Sequence, residues 1–319
     1  MDWIREENYA EEMRAKVEPY VAARKESRTF ERVPGQRIYY EHFRAEAPKG
    51  VIVISHGFTE SVQKFTESIY YMLRSGYEVW GFDHRGHGRS VRLNDNPYVV
   101  HVERFRDYVE DLHHLVETLV KPTAHELPLY LYCHSMGGCV GAKVIEQYPE
   151  LFDKAVLSSP MLGLNFGNVP VHAVYIGASL MGIGERRKNS PTPVNEFDST
   201  PHFEASCDSS ECRYLYYFEK QKADRHLQTR APSIQWGKEA VKACYRAISA
   251  EQTARIRIPV LLFQAENDTM VNNSAQDEFA SRVKSCELIR VPGMKHELYM
   301  TDSDVLIPYW EKIFRFLKD

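Results

Sequence analysis

The chain has 319 residues, of which 43% are apolar and 26% charged, with a formal net charge of −4 and six cysteines. That length is enough to bury a full core and suits one large domain carrying an insertion. Charges of both signs are mixed throughout, so nothing resembles a nucleic-acid footprint; the cysteines form no CxxC pair, which leaves free thiols as the default.

In chain order, residues 1–7 lack the charged start, apolar core and small-residue cleavage pattern of a secretory signal, so a cytosolic protein is expected. Residues 6–17 have the spacing of an amphipathic helix whose polar face is mostly Glu, which disfavours docking to anionic lipid. The apolar run 51–55 predicts a buried strand, and the loop after it reads His56-Gly57-Phe58-Thr59-Glu60. Gly57 permits an unusual backbone that would aim the Phe58 amide inward, while the Phe58 side chain lines an apolar pocket; His56 is read as a hydrogen-bonding brace of this loop. A second run, 78–82, leads into Asp83-His84-Arg85-Gly86-His87-Gly88-Arg89-Ser90. Its two histidines are three apart in a glycine-rich turn, with no ligand spacing for a metal and no following Lys-Ser/Thr for a P-loop, so a buried turn held by charge pairing is expected.

The strongest signal is Cys133-His134-Ser135-Met136-Gly137-Gly138, between a strand at 129–132 and a helix at 138–148. A serine on a sharp strand-to-helix turn is a nucleophile elbow. An ordinary helix N-cap would account for Ser135 but not for the Gly137-Gly138 pair. Cys133 stands where the Gly-x-Ser-x-Gly pattern has glycine. A serine hydroxyl needs a base and an orienting acid. The acid is sought after the buried strand 258–263, where the loop Gln264-Ala265-Glu266-Asn267-Asp268 offers Asp268, with Glu266 as its local competitor. The base is His296, in the loop after a strand at 287–291. The amides of Phe58 and Met136 would be the two oxyanion donors.

Strand signals stop near Pro160 and resume near Ile256, dividing the chain into 1–160 with 256–319 as a core and 161–255 as an inserted helical cap, with helices at 170–184, 209–222 and 233–248. The first of these is an apolar stretch of about 15 residues where a membrane span needs about 20. It reads as a helix buried against the main domain or as a lid whose apolar face meets an acyl chain or lipid surface, and both can hold. The insertion holds 12 Lys plus Arg against 10 Asp plus Glu, a small positive bias in an acidic chain. Cys207 and Cys212 are close enough in sequence to bridge within it.

Read together, His56-Gly57-Phe58, Asp83 to Ser90, His134 to Gly138, Asp268 and His296 resemble the serine α/β-hydrolases of the bacterial lysophospholipase and monoacylglycerol lipase group, over about residues 30 to 315. The regions around Tyr214, Tyr217, Arg225 and Trp236, and Gln264 to Asn267, look more like the lysophospholipases. The resemblance implies an α/β-hydrolase fold, a Ser135-Asp268-His296 triad, an oxyanion hole at Phe58 and Met136, and neither metal nor organic cofactor. It implies hydrolysis of a single-chain glycerolipid: lysophospholipid first, monoacylglycerol second, with small esters as the next alternative and transient membrane contact through the cap. Acyl transfer uses the same triad and stays open. The rival of another class is a ligand-binding protein that kept the pocket and lost turnover.

Overall fold

The structure is a computed structural model that describes residues 1–167 and 169–318. Ten strands form among the described residues, β1 Lys25–Val33, β2 Gln36–Phe43, β3 Val51–Ser55, β4 Glu78–Phe82, β5 Val99–Val100, β6 Leu129–His134, β7 Lys154–Ser158, β8 Ala231–Pro232, β9 Val260–Ala265 and β10 Cys286–Val291. Eight of them make one sheet in the order β1-β2-β4-β3-β6-β7-β9-β10. From β4 to β10 every pairing is parallel, and β2 alone runs against its neighbours. This is the mostly parallel sheet, with helices on both faces, of the α/β-hydrolase fold that the resemblance implies. The β1–β2 hairpin was not legible, since its first strand, rich in Lys, Glu and Arg, is mostly exposed and lacks a clean apolar alternation.

β3, β6 and β9 are buried at every position, as strands covered on both faces must be. Successive side chains point to opposite faces. Val51, Val53, Leu131, Cys133, Val260 and Leu262 enter one apolar cluster, and Ile52, Ile54, Tyr130, Tyr132, Leu261 and Phe263 the other. Helices Arg106–Leu115, Met136–Gln147 and Asn273–Arg282 contribute to the first; Thr66–Arg74 and Ser303–Lys318 cover the second. The last helix contains Pro308, which costs about 3 kcal/mol in a helix interior. Its buried stripe of Leu306, Tyr309, Trp310, Ile313 and Leu317, each worth about 1.5–3 kcal/mol, outweighs that.

The helix expected at 6–17 runs on to Ala22, with a 3-10 turn at its start and a π turn at Met13–Val17. Ile4, Tyr9, Met13, Val17 and Val21 bury its apolar face in the second cluster, so that face is spent on the core. Between β7 and β9 the elements are helical apart from β8, which pairs in parallel with β5. The three expected helices occur as Val171–Met181, Glu211–Ala223 and Ile234–Ala247.

The alternative of burial against the main domain is corrected for Val171–Met181: it has no buried residue, and Leu180 and Ile176 are 70% and 55% exposed. It is apolar around its whole circumference, so packing one side on Ile234–Ala247 leaves the other bare. No helix among the described residues is long and apolar enough to cross a membrane. All six cysteines are free, Cys207 and Cys212 included.

Candidate active site

Ser135 ends β6 and opens helix Met136–Gln147 with φ 52° and ψ −117°, a conformation disfavoured for a residue with a Cβ. The surroundings hold it there. Its N–H donates to Ser158 O at 3.1 Å, and its carbonyl accepts from Gly138 and Met161, each at 2.8 Å. Glycine follows for steric reasons. A Cβ on Gly137 would collide with the Ser55 carbonyl oxygen, and one on Gly138 would lie 2.5 Å from Pro160 Cβ. Cys133 is buried beneath the turn, and its sulfur fills the space beside Gly141.

Asp268 and His296 come from the loops after β9 and β10, neighbouring parallel strands, and so reach the same carboxyl edge of the sheet as Ser135. Asp268 Oδ2 lies 2.6 Å from His296 Nδ1. The other oxygen accepts from the amides of Met270 at 2.8 Å and Val271 at 3.0 Å, and the Asp268 side chain is fully buried. Glu266 instead accepts from the Gly293 amide at 2.8 Å, bracing the turn that leads to His296.

The early loop lies across the elbow, with His56 O close to Gly137. His56 Nδ1 donates to Gly57 O at 2.7 Å and Nε2 accepts from the His84 amide at 2.9 Å, the bracing role expected. Burial depresses its pKa to about 4, which keeps it neutral and able to accept. The Phe58 ring packs on Trp236, centroids 4.3 Å apart, and on His87. Met136 is the first residue of its helix, so its N–H has no acceptor within that helix. The turn from Asp83 to Ser90 is structural. Asp83 accepts from the amides of Val62 and Arg89, and Arg85 makes a two-point ion pair with Asp111. Among the described residues no group of three or more His, Cys, Asp or Glu could hold a metal ion.

Around these groups lies a buried polar cluster that sequence reasoning missed. Glu60 accepts from the Gly57 amide at 2.5 Å and from Tyr299 Oη at 2.7 Å. Its Oε1 lies 2.9 Å from His134 Nδ1, in ion-pair contact without hydrogen-bond geometry. Burial alone would raise the Glu60 pKa, but His134 and Lys64 hold it well below the carboxylate range. Burial would likewise lower His134, and the Glu60 carboxylate outweighs it and raises the imidazole. The His134 ring lies against the His296 ring, centroids 4.9 Å apart and tilted by 53°. Lys64 pairs with Glu297 and reaches Glu60 at 3.8 Å. In the sequence Glu60 is one more residue of a short polar loop; nothing local marks it as part of a buried cluster, because His134 and Tyr299, which bury it, are 74 and 239 positions away.

The chain is 28% identical over 260 residues to lysophospholipase L2 of Escherichia coli, covering 80% of this chain and 73% of that one. It is 27% identical over 299 residues to a monoacylglycerol lipase of Mycolicibacterium smegmatis, covering 90% and 95%. A soluble variant of monoglyceride lipase from Saccharomyces cerevisiae superposes with a TM-score of 0.72 over 91% of this chain and 94% of that one at 19% identity, a likeness of fold that makes this an α/β-hydrolase architecture. The sequence pattern of Hydrolase_4, described as serine aminopeptidase, S33, matches residues 46–304, and the chain belongs to that family.

Proposed function

We propose that the protein hydrolyses the acyl ester of single-chain glycerolipids, with lysophospholipids as the preferred substrates and monoacylglycerols second. The observation that carries the reading is the junction of a strained serine elbow with a buried His296–Asp268 pair at one sheet edge. The relatives named lysophospholipase and monoacylglycerol lipase support the substrate class.

In this reading Ser135 Oγ attacks the acyl carbonyl while His296 takes its proton. Asp268 holds the imidazole tautomer with Nδ1 protonated and stabilises the imidazolium. The amides of Phe58 and Met136 receive the developing oxyanion, in the low-dielectric setting where such donors are worth most. His296 then protonates the leaving alcohol, and water attacks the acyl-enzyme to release the fatty acid.

Residues 161–255 serve as a cap over the core formed by 1–160 and 256–319. Helix Val171–Met181, with exposed Ile176, Leu180 and Met181, followed by exposed Ile183 and then Arg186, Arg187 and Lys188, suits brief contact with a lipid surface on the cytoplasmic side. The test is release of fatty acid from lysophosphatidylcholine, lysophosphatidylethanolamine, 1-monoacylglycerol and a p-nitrophenyl butyrate control, beside Ser135→Ala. Ser135-dependent release fastest from the lysophospholipids supports the reading. Faster monoacylglycerol turnover reverses the substrate order, and no release from any of the four refutes the hydrolase.

A further inference from the structure

The loop that carries His296 is flanked by one stretch of the insertion, Ser206 to Ser210. Lys295 N–H donates to Ser209 Oγ at 3.3 Å and Lys295 Nζ to Ser206 O at 3.3 Å; Glu297 N–H donates to Cys207 O at 3.2 Å, and Ser210 N–H to Met300 O at 3.2 Å. The strap therefore grips both residues adjacent to His296. At its centre Asp208, next to the Cys207 carbonyl that Glu297 N–H binds, buries its carboxyl beside that of Glu297, and its Oδ1 has no hydrogen-bond partner.

Two buried carboxylates in contact cannot both be ionised at modest cost; one keeps a proton. Lys64 pairs with Glu297, so the anion belongs on Glu297 and the proton on Asp208. Burial, then the Glu297 charge, raise the Asp208 pKa well above its ordinary value; at Glu297 burial also pushes upward, but Lys64, the hydrogen bond from Asp208 and His134 together lower that one. The charged groups facing Asp208 are Glu297, Lys64 and Glu60, and Glu60 is in turn matched by His134. With Asp208 neutral, Glu297, Lys64, Glu60 and His134 balance as two anions and two cations.

We propose that Asp208 is a positioning residue for the general base: its protonated carboxyl donates to Glu297 and clamps the insertion strap onto the His296 loop. The inference rests on His296 being the base that activates Ser135. The clamp acts through the geometry of His296 and touches no substrate, so it governs kcat more than KM. Asparagine can supply the same donor without a proton to lose, whereas alanine cannot. Deprotonation of Asp208 at high pH sets two buried anions against each other and opens the clamp.

The experiment compares wild type, Asp208→Asn and Asp208→Ala in kcat and KM for p-nitrophenyl butyrate across pH, with thermal melting to establish folding and with fluorophosphonate labelling of Ser135. Asp208→Asn is expected to keep kcat within about twofold and extend activity to higher pH. Asp208→Ala is expected to lose about tenfold in kcat at little change in KM, since small misplacement of a catalytic group is costly. Asn and Ala variants that are equally active, or an alkaline limb unmoved by Asp208→Asn, overturn the proposal. Should Asp208→Ala not fold, the pH profile of Asp208→Asn decides alone. His296→Ala labelled at the wild-type rate would instead refute the assignment of the base, a separable failure.

Discussion

Asp268 Oδ2 stands 2.6 Å from His296 Nδ1, and the remaining oxygen of the same carboxylate is occupied by the amides of Met270 and Val271. The acid is thus fixed from behind and has one orientation in which to hold the imidazole. Asp268→Asn keeps the size and offers an N–H where a lone pair is needed, favouring the wrong tautomer. Its kcat is expected to fall by about three to four orders of magnitude with KM nearly unchanged. A steady-state comparison on one ester checks this, and a loss of less than about tenfold would remove Asp268 from the role.

Gly137 and Gly177 provide a paired test of packing. A Cβ at Gly137 meets the Ser55 and His56 carbonyl oxygens, both backbone atoms that cannot swing away, while one at Gly177 meets nothing. Gly137→Ala should destabilise by about 3 kcal/mol, the upper range for overpacking. Gly177→Ala, inside helix Val171–Met181, should be neutral or stabilise by up to about 1 kcal/mol. Urea unfolding midpoints distinguish the two, and equal midpoints would contradict the crowding at the elbow.

Glu146 is buried with neither carboxylate oxygen partnered, and burial pushes its pKa up to about 8 against the pull of Lys143 and Arg255. A raised folded-state value means that the native state holds the proton more tightly than the unfolded chain. That contribution is complete below about pH 4.5 and is lost as pH rises through about 8. Glu146→Gln mimics the protonated form. It should match wild type in acid and become more stable by on the order of 3 kcal/mol above pH 8. Denaturant titrations at several pH values measure the difference, and one that does not change with pH would show that Glu146 is not the group being titrated.

The bare side chains of Ile176, Leu180 and Ile183 predict a split between substrates presented on vesicles and substrates in solution. Changing all three to Ser should raise the apparent KM for vesicle-borne lysophospholipid by about tenfold, a small part of what burying three such side chains could yield. Hydrolysis of p-nitrophenyl butyrate should be unaffected. Equal effects on both substrates would assign the helix to the pocket rather than to the lipid surface.

The legible parts of the fold were those with local cause. Continuous apolar runs predicted β3, β6 and β9, although the run read at 258–263 pairs two residues later, at Val260–Ala265. Composition could not distinguish a buried apolar helix at 170–184 from an exposed one, because a sequence apolar on all sides names no inner face. The N-terminal segment reads as an amphipathic helix, but nothing in it shows where it docks: it is anchored by Arg213, whose buried guanidinium binds Glu67 at 2.9 and 3.0 Å, pairs with Glu6 and donates to Ile4 O. No local pattern announces an ion pair between residues 146 positions apart.

The sequence by itself determined a candidate set and its order along the chain: a serine on a Gly-flanked turn, then an acid and a histidine each just past a strand. A parallel sheet delivers strand ends to one edge, so that order already implied proximity. Only the tertiary structure decided that Asp268 rather than Glu266 faces His296, that Glu60 grips the Gly57 amide, and that Ser206 to Ser210 meet the loop that carries His296. These choices depend on which side chains share a buried volume where charges must be matched, and burial is a property of the whole packed chain.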